Sequence, residues 1–509
     1  MPASAPDPQG EAALDRTIEA LGGALEREPT RPELAVALAG ALRAKGLLTE
    51  AGELLALALA LRPDFAATHL ELGNLARAKG DSLGALGAYE RAATHAPEAI
   101  EPLGNRALVL KDLGKLDEAA STLEAALARA PGNVELIYNL GNCRYAADDF
   151  DGAATSFEAV LAQAPDHCNA LINLGLVRRD QGRTDDAVSC FDRIIALRPE
   201  HPVAHWNRAL ALLLAGDFER GWPDYEWRWR ATGMRPRDFA APLWDGKTLD
   251  GRTILLHAEQ GLGDSIQFVR YAPKVAALGG RVVLEVQPTL ARLLEAMPGV
   301  DHVIRQGEVL PAFDCHAPLM SLPALFGTTT DSVPANVPYL AAPDRTKSAL
   351  ADALAAPAGV KRIGVVWGGN PARQGDAARS CRARDLRPLT TLRDVRLFSL
   401  QKGGPHQEQI GDLPDAIELG PLLDDMADTA FAISRLDLVI SVDTATAHLA
   451  GALGKPVWTM LAFAADWRYL LRRSDSPWYP TMTLYRQERS GDWAGVVERV
   501  RAALASGLL

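Results

Sequence analysis

Two short segments of this 509-residue chain carry residue types suited to proton transfer and phosphate binding. The first reads His257-Ala258-Glu259-Gln260-Gly261-Leu262-Gly263-Asp264-Ser265. Gly261 and Gly263 allow close backbone approach, and the start of the helix that should follow favours an anion. Asp264 stands at the lip of that turn, where a carboxylate can take a proton from a hydroxyl; the same position suits a helix-capping aspartate. The third glycine of a dinucleotide fingerprint is missing, with Gln267 and its neighbours in its place, and Glu285 lies within the next strand rather than at its end. A nicotinamide cofactor is therefore not expected. The second segment reads Ser441-Val442-Asp443-Thr444-Ala445-Thr446-Ala447-His448. The hydroxyls of Thr444 and Thr446 and the backbone N–H groups of a helix start suit a diphosphate. A helix dipole contributes only about 0.3–1 kcal/mol to an anion, rising to ~2 when partly buried, so cations must assist. Lys402 and Arg379 are the candidates. Lys402 closes an apolar run and precedes Gly403-Gly404, which should direct its ammonium into a cleft. His448, one turn into the helix, suits either a ligand contact or a satisfied buried histidine. Asp428 suits either a ribose hydroxyl or a helix cap.

These segments need elements to hold them. Ile254–His257, Val282–Val286, His302–Ile304 and Phe313–His316 read as strands, with helices near Ile266–Leu278 and Leu290–Ala296. A segment containing Pro and Thr separates them from a second series at Ile363–Trp367, Val395–Gln401, Leu438–Val442 and Val457–Leu461, with helices near Met426–Arg435 and Ala445–Leu453. Alternation of this kind implies parallel sheets covered by helices. Two sets imply two Rossmann-like lobes, 251–343 and 344–509, with Gly261–Ser265 facing Thr444–His448 across the cleft beyond the strand ends.

The first half is organised differently. Pro29, Pro63, Pro97, Pro131, Pro165 and Pro199 recur every 34 residues, the tetratricopeptide period. A small residue precedes each proline by twelve positions, from Thr17 and Ala51 to Ala187. A large one precedes it by eight: Leu21, Leu55, Tyr89, Leu123, Phe157 and Phe191. Gly46, Gly80, Gly114, Gly182 and Gly216 mark the turns within helix pairs. Five full repeats are expected between Pro32 and Pro199, with a half repeat before and a last one after, as a superhelix over 1–230 with its C-terminal cap. Asn105, Asn139, Asn173 and Asn207 keep the same period on the first helix of each pair. Their amides suit the backbone of an extended acceptor peptide or the bonding of neighbouring helices. Trp222, Trp227 and Trp229 suit a cap over the last repeat better than a sugar platform, because a terminal repeat needs a cover. Residues 231–250 read as an irregular connector.

A net charge of −11 excludes broad nucleic-acid binding, which needs a basic face. One local basic pocket is expected from Arg373, Arg379, Arg382, Arg384 and Arg387. Five scattered cysteines without a CxxC pair fit a reducing compartment and no zinc site. Met1–Gly10 lacks a signal-peptide pattern, and no apolar run reaches a membrane span, so a cytoplasmic location is expected.

Gly263-Asp264, Trp367-Gly368-Gly369-Asn370 and Asp443-Thr444-Ala445-Thr446-Ala447-His448-Leu449-Ala450 resemble the bacterial heptosyltransferases, glycosyltransferases of the GT-B fold. The likeness covers about residues 251–509. It implies Asp264 as general base, Asn370 and Thr444–His448 on the donor side, Asp428 in place of a ribose-binding acid that is usually Glu, and Lys402 or Arg379 neutralising phosphate. Ala445 stands where the family usually has Gly, and the Arg373–Arg387 stretch departs from its pattern. Repeats ahead of such a domain resemble bacterial protein glycosyltransferases and, in overall architecture, the O-linked N-acetylglucosamine transferases, whose groove asparagines hold acceptor polypeptide. The resemblance implies a metal-independent enzyme without cofactor, using a nucleotide-sugar co-substrate and a polypeptide acceptor or partner protein in the repeat groove. Transfer to a glycan or lipid, with the repeats docking a partner, and a non-catalytic scaffold are the alternatives. The repeat surface would also suit a homo-oligomer.

Overall fold

A computed structural model of the chain describes residues 8–372 and 375–507, so Met1–Asp7 and Arg373 lie outside the described residues. The helix Pro8–Arg27 precedes five helix pairs: Pro32–Ala44 with Leu48–Leu61, Ala66–Ala78 with Ser82–His95, Glu101–Asp112 with Leu116–Arg129, Val134–Ala146 with Phe150–Gln163, and Cys168–Asp180 with Thr184–Leu197. Each periodic proline falls in the turn that ends a pair. The glycines between paired helices have φ of +72 to +87°, and Asp148 takes that left-handed position where the fourth of these turns lacks glycine (φ +60°).

Small residues permit close helix packing, and the geometry shows where. A Cβ on Gly73, Gly141 or Gly175 would meet the ring of Tyr89, Phe157 or Phe191 at 2.4, 2.7 and 2.6 Å. The large residue of one helix thus lies over a bare patch of its partner, and all three rings are fully buried.

The chain divides into two compact units. One comprises residues up to Gln181 together with Ser189–Pro199; the other comprises Gly182–Val188 and Glu200–Leu509. The helices Pro202–Ala215, Phe218–Tyr225 and Arg228–Ala231 therefore belong with the α/β half, and the expected boundary at 230 falls inside the second unit. The reason is aromatic burial. Trp222 donates from Nε1 to the Thr328 carbonyl at 2.7 Å and meets Trp467 edge-on at 5.4 Å, while Trp227 stacks on His205 at 4.0 Å. Arg228, wholly buried, pairs with Glu226 and Glu259. These rings are core and seal, not an open platform.

The second unit holds two parallel sheets. The first contains β1 (Thr253–His257), β2 (Arg281–Val286), β3 (His302–Arg305) and β4 (Cys315–Pro318) in the order β3-β2-β1-β4. The second contains β5 (Lys361–Val366), β6 (Val395–Ser399), β7 (Ile417–Glu418), β8 (Leu438–Val442), β9 (Val457–Leu461) and β10 (Met482–Arg486) in the order β10-β9-β8-β5-β6-β7. The pairings β1–β2, β1–β4, β5–β6 and β5–β8 are parallel, as are the outer ones. The fold is thus a helical solenoid followed by two Rossmann-like lobes, the architecture of a GT-B fold. β7, β10 and the helix Trp493–Ala505 are additions to the sequence reading. The connector is irregular but anchored: His316 donates to the Pro242 carbonyl at 3.1 Å, Trp244 donates to the His316 carbonyl at 2.8 Å, and Arg237 pairs with Glu285.

Placing a side chain under a ring should destabilise the repeats. Gly141→Val is expected to lower stability by about 1–3 kcal/mol through overpacking against Phe157. Gly22→Ala, with nothing within 4 Å, should instead gain up to ~1 kcal/mol from helix propensity. Denaturant midpoints followed by far-ultraviolet circular dichroism check both signs.

Candidate functional site

Four loops leave the carboxyl ends of β1, β5, β6 and β8, the central strands where the strand order reverses. Together with the segment after β9 and the start of the helix Met426–Ser434, they line one cavity of about 610 Å³. This is where open parallel sheets bind ligands. Of the site residues expected from sequence, Gly261, Gly263, Asp264, Asn370, Arg379, Lys402, Asp443, Thr444, Ala445, Thr446 and His448 all contribute to its wall.

The β1 loop opens the helix Leu262–Phe268. Asp264 Oδ2 accepts the Gly261 N–H at 2.8 Å, so the carboxylate caps its own helix and still reaches the cavity. The two expected readings of Asp264 are therefore compatible. A Cβ on Gly263 would lie 2.9 Å from His448 Cδ2 and 3.5 Å from Ala445 Cα. The two segments do not face each other across a gap. They touch along one side, because Gly263 has no side chain, and the cavity opens beside the contact.

The β5 loop is Trp367-Gly368-Gly369-Asn370. Gln401, at the end of β6, closes it: Oε1 accepts from the N–H groups of Trp367 (3.2 Å) and Gly368 (3.0 Å), and Nε2 donates to the Gly368 carbonyl (3.1 Å). The missing side chains of Gly368 and Gly369 leave space for His406 and for Arg379 with Asp376. Buried Asp376 accepts from Arg379 Nε at 3.1 Å and contacts His406 Nε2 at 3.0 Å, while Arg379 Nη1 donates to the Asp443 carbonyl at 3.2 Å. Asn370 folds back, its Oδ1 accepting from Ala372 N at 3.1 Å. Lys402 is exposed at the rim and donates from Nζ to the carbonyls of Leu423 and Asp424.

After β8, Thr444 Oγ1 and Ser441 Oγ share a hydrogen bond at 2.9 Å. Asp443 Oδ1 accepts the Tyr469 O–H at 2.6 Å. Burial, with the charge of Asp466 nearby, raises the Asp443 carboxyl above its ordinary range. His448 is only 5 % exposed, and its Nδ1 lies 3.0 Å from Tyr479 Oη. Burial first, then the positive charge of Arg468, lowers its pKa to about 3, so the ring is neutral at pH 7. His448 both lines the cavity and is satisfied in the core. Arg468 was not expected at the site, and no local motif marks it. Burial alone would pull its pKa down, yet the carboxylates of Asp466 and Asp264 raise it well above the usual value.

Other expectations are corrected. Asp428 is 2 % exposed and is not part of the cavity wall. Its Oδ1 accepts from Arg292 at 2.6 Å and its Oδ2 from Asp424 N at 3.0 Å. Arg292 comes from the first lobe, so Asp428 ties the lobes together through that pair, where the sequence offered a ribose contact or a helix cap. Among the described residues of the arginine cluster, only Arg379 lines the cavity: Arg382, Arg384 and Arg387 are exposed, and Arg387 pairs with Asp412. The asparagine ladder is engaged with the solenoid. Asn105 donates to Asn74 at 3.1 Å, Asn173 donates to Asn142 at 2.7 Å and to Tyr138 Oη at 3.1 Å, and Asn207 donates back to Val203 of its own helix. Asn139 is half-buried.

Comparison with known proteins places the repeats. The family described as tetratricopeptide repeat matches residues 110–175 and 172–225. The chain carries tetratricopeptide repeats. Such repeats serve protein–protein interaction through extended surfaces. The chain is 31 % identical over 328 residues to "Protein FlbA" of Caulobacter vibrioides, a match covering 58 % of this chain and 54 % of that protein. It thus spans about half the length of the curated relative it matches. Among solved structures, YrrB, a TPR protein with an unusual peptide-binding site, is 24 % identical with a TM-score of 0.32, over 37 % of this chain and 96 % of that one. MamA is 22 % identical with a TM-score of 0.31, over 33 % and 92 %. Among the described residues, no helix is long and apolar enough to cross a membrane.

His448 and His257 both have pKa values lowered to about 3 by burial. Below the unfolded value near 6.5 the unfolded chain binds protons that the native state refuses, so stability should fall as pH drops from about 6.5 toward 3. Each histidine can contribute up to ~1.4 kcal/mol per pH unit in that window. Urea midpoints measured across it, compared with those of His448→Gln, should show a shallower slope for the variant.

Proposed function

We propose that the second unit is a nucleotide-sugar-dependent glycosyltransferase and that the repeats recruit its protein acceptor or a partner. One observation carries this reading: a carboxylate from one Rossmann-like lobe and a Thr- and His-bearing helix start from the other share a cavity whose wall also includes Arg379, Lys402 and Arg468. The acceptor hydroxyl oxygen attacks the anomeric carbon as its proton passes to Asp264. The bond from that carbon to the diphosphate oxygen breaks, and its electron pair leaves with the nucleoside diphosphate. The helix start at Thr444–Thr446, the side chain of Arg379 and the rim ammonium of Lys402 stabilise the charge that develops there. Neutral His448 supports the helix start as packed core and contributes no charge. The cations supply what the reaction needs without a metal ion.

A second reading keeps the enzyme and changes the acceptor. Asn105 and Asn173 spend amide N–H groups on neighbouring helices, which favours a glycan or lipid acceptor with the repeats as a dock. The scaffold alternative makes a clear contrast, since it requires no donor site.

Calorimetry of the full chain against UDP, GDP, ADP and CMP should find one preferred nucleotide. Binding of none removes the donor site and leaves the scaffold. Asp264→Asn should reduce turnover of the preferred nucleotide sugar by at least about a hundredfold while its nucleotide affinity stays within about threefold, the pattern of a group acting only in the transition state. Unchanged turnover would take Asp264 out of the mechanism.

A further inference from the structure

The cavity wall contains a cation with a different set of partners from Arg379 and Lys402. Arg468 follows β9 and is 7 % exposed. Its Nη1 donates to Asp466 Oδ1 at 2.8 Å, its Nε to Gln267 Oε1 at 2.7 Å, and its Nη2 to Asp264 Oδ1 at 2.6 Å. The rings of Trp467 and Phe268 lie against the guanidinium at 4.5 and 5.7 Å. Asp264 is therefore held at both oxygens: Oδ2 by Gly261 N–H of its own lobe and Oδ1 by Arg468 of the other.

We propose that Arg468 is a positioning residue that fixes the Asp264 carboxylate across the lobe interface, so that the proton acceptor is aligned only while the two lobes are docked. This rests on the reading of Asp264 as the base. Each carboxylate oxygen has two lone pairs, so one bond to each leaves capacity for an acceptor hydroxyl. The guanidinium is itself immobilised: Asp466 and Gln267 hold two of its nitrogens, and its planar fork transmits that orientation to Asp264. A role on the leaving diphosphate fits less well, because three of its five N–H donors, one on each nitrogen, already fix it to Asp466, Gln267 and Asp264. Arg379 and the rim residue Lys402 are better disposed to that task. Alignment is where a small displacement is costly, since a misplacement of about 1 Å can lower a rate about a hundredfold.

The test uses the full chain and the variants Arg468→Gln, Arg468→Lys, Asp264→Asn and the double variant R468Q/D264N. Two quantities are read. One is release of nucleoside diphosphate from UDP-glucose, UDP-N-acetylglucosamine or GDP-mannose, whichever is cleaved fastest. The other is hydrogen exchange of the Leu262–Phe268 amides. R468Q should lower kcat at least about tenfold with KM within about threefold, R468K should recover part of the loss, and R468Q/D264N should be no slower than D264N alone, as expected of groups acting as a unit. Amide exchange over Leu262–Phe268 should quicken about tenfold in R468Q and less in R468K. Independent effects of the two substitutions on kcat, or a rise in KM with kcat unchanged, overturn the proposal; so does unaltered exchange. If no donor is cleaved, or D264N is as active as the parent, the transferase reading fails, and exchange alone decides whether Arg468 holds the Asp264 helix. If R468Q does not fold, R468K with R468K/D264N completes the cycle.

Discussion

A guanidinium taken out of water must be paired on every side. Breaking a buried pair by removing one partner costs about 3–5 kcal/mol, because the remaining charge is stranded. Arg468 meets this demand by drawing together Asp466 of its own segment and two residues of the other lobe, Gln267 and Asp264. Much of the cavity follows from that requirement. The helix Leu262–Phe268 must present both an amide oxygen and a carboxylate toward the second lobe, and Tyr469, the next residue along, is placed to donate to Asp443. His448 lies beside the same network and stays neutral because burial and the Arg468 charge both oppose its protonation.

The repeats obey a simpler rule. Each pair has a bare glycine or other small residue beneath a large side chain, and stacking of pairs completes a core that none could build alone. The polar ladder uses the same economy of contact. Asn74 with Asn105 and Asn142 with Asn173 bond across neighbouring helices, in alternate repeats. Where the ladder begins, Glu71 takes the asparagine register and accepts from Arg43 and Asn74 instead. A periodic polar residue on one helix face is thus as much a device for fixing helix against helix as a surface for a ligand.

The solenoid was legible because its signal is periodic: proline, glycine and a large residue at fixed spacing report the same physics in every repeat. The strand-end loops were legible because glycine, aspartate and threonine crowd into a few positions after an apolar run. Side chains that acquire meaning only through distant partners were not. Arg292 meets Asp428 across 136 positions and Arg468 meets Asp264 across 204, and nothing near either arginine in sequence announces the contact. Asp428 looked like a ligand-binding acid because its local surroundings, a helix start below a strand, are those of one. Arg382, Arg384 and Arg387 are close in sequence, which suggests a pocket, but Arg384 and Arg387 lie on the short-turned segment Ala383–Thr391 and Arg382 immediately precedes it, and the buried residues of that segment are Ala383, Leu386 and Leu389. That apolar face turns the arginines outward.

Gly263 shows how a local feature and a distant one can share a cause. Read in sequence, it is a second glycine in a phosphate-type turn. In the folded chain its task is to admit another helix, since the nearest atom to an added Cβ belongs to His448 and the next to the backbone of Ala445. Two helix starts can approach this closely only if neither carries bulk at the crossing, and the small side chain of Ala445 meets that condition from the second lobe. Ala445 therefore fits a contact whose glycine stands on the opposite side. Two helix N-termini border one cavity, and two buried or half-buried arginines stand beside them. In the proposed reading, an anionic group entering the cavity would meet donors from both lobes, while Asp264 is held by Gly261 and Arg468.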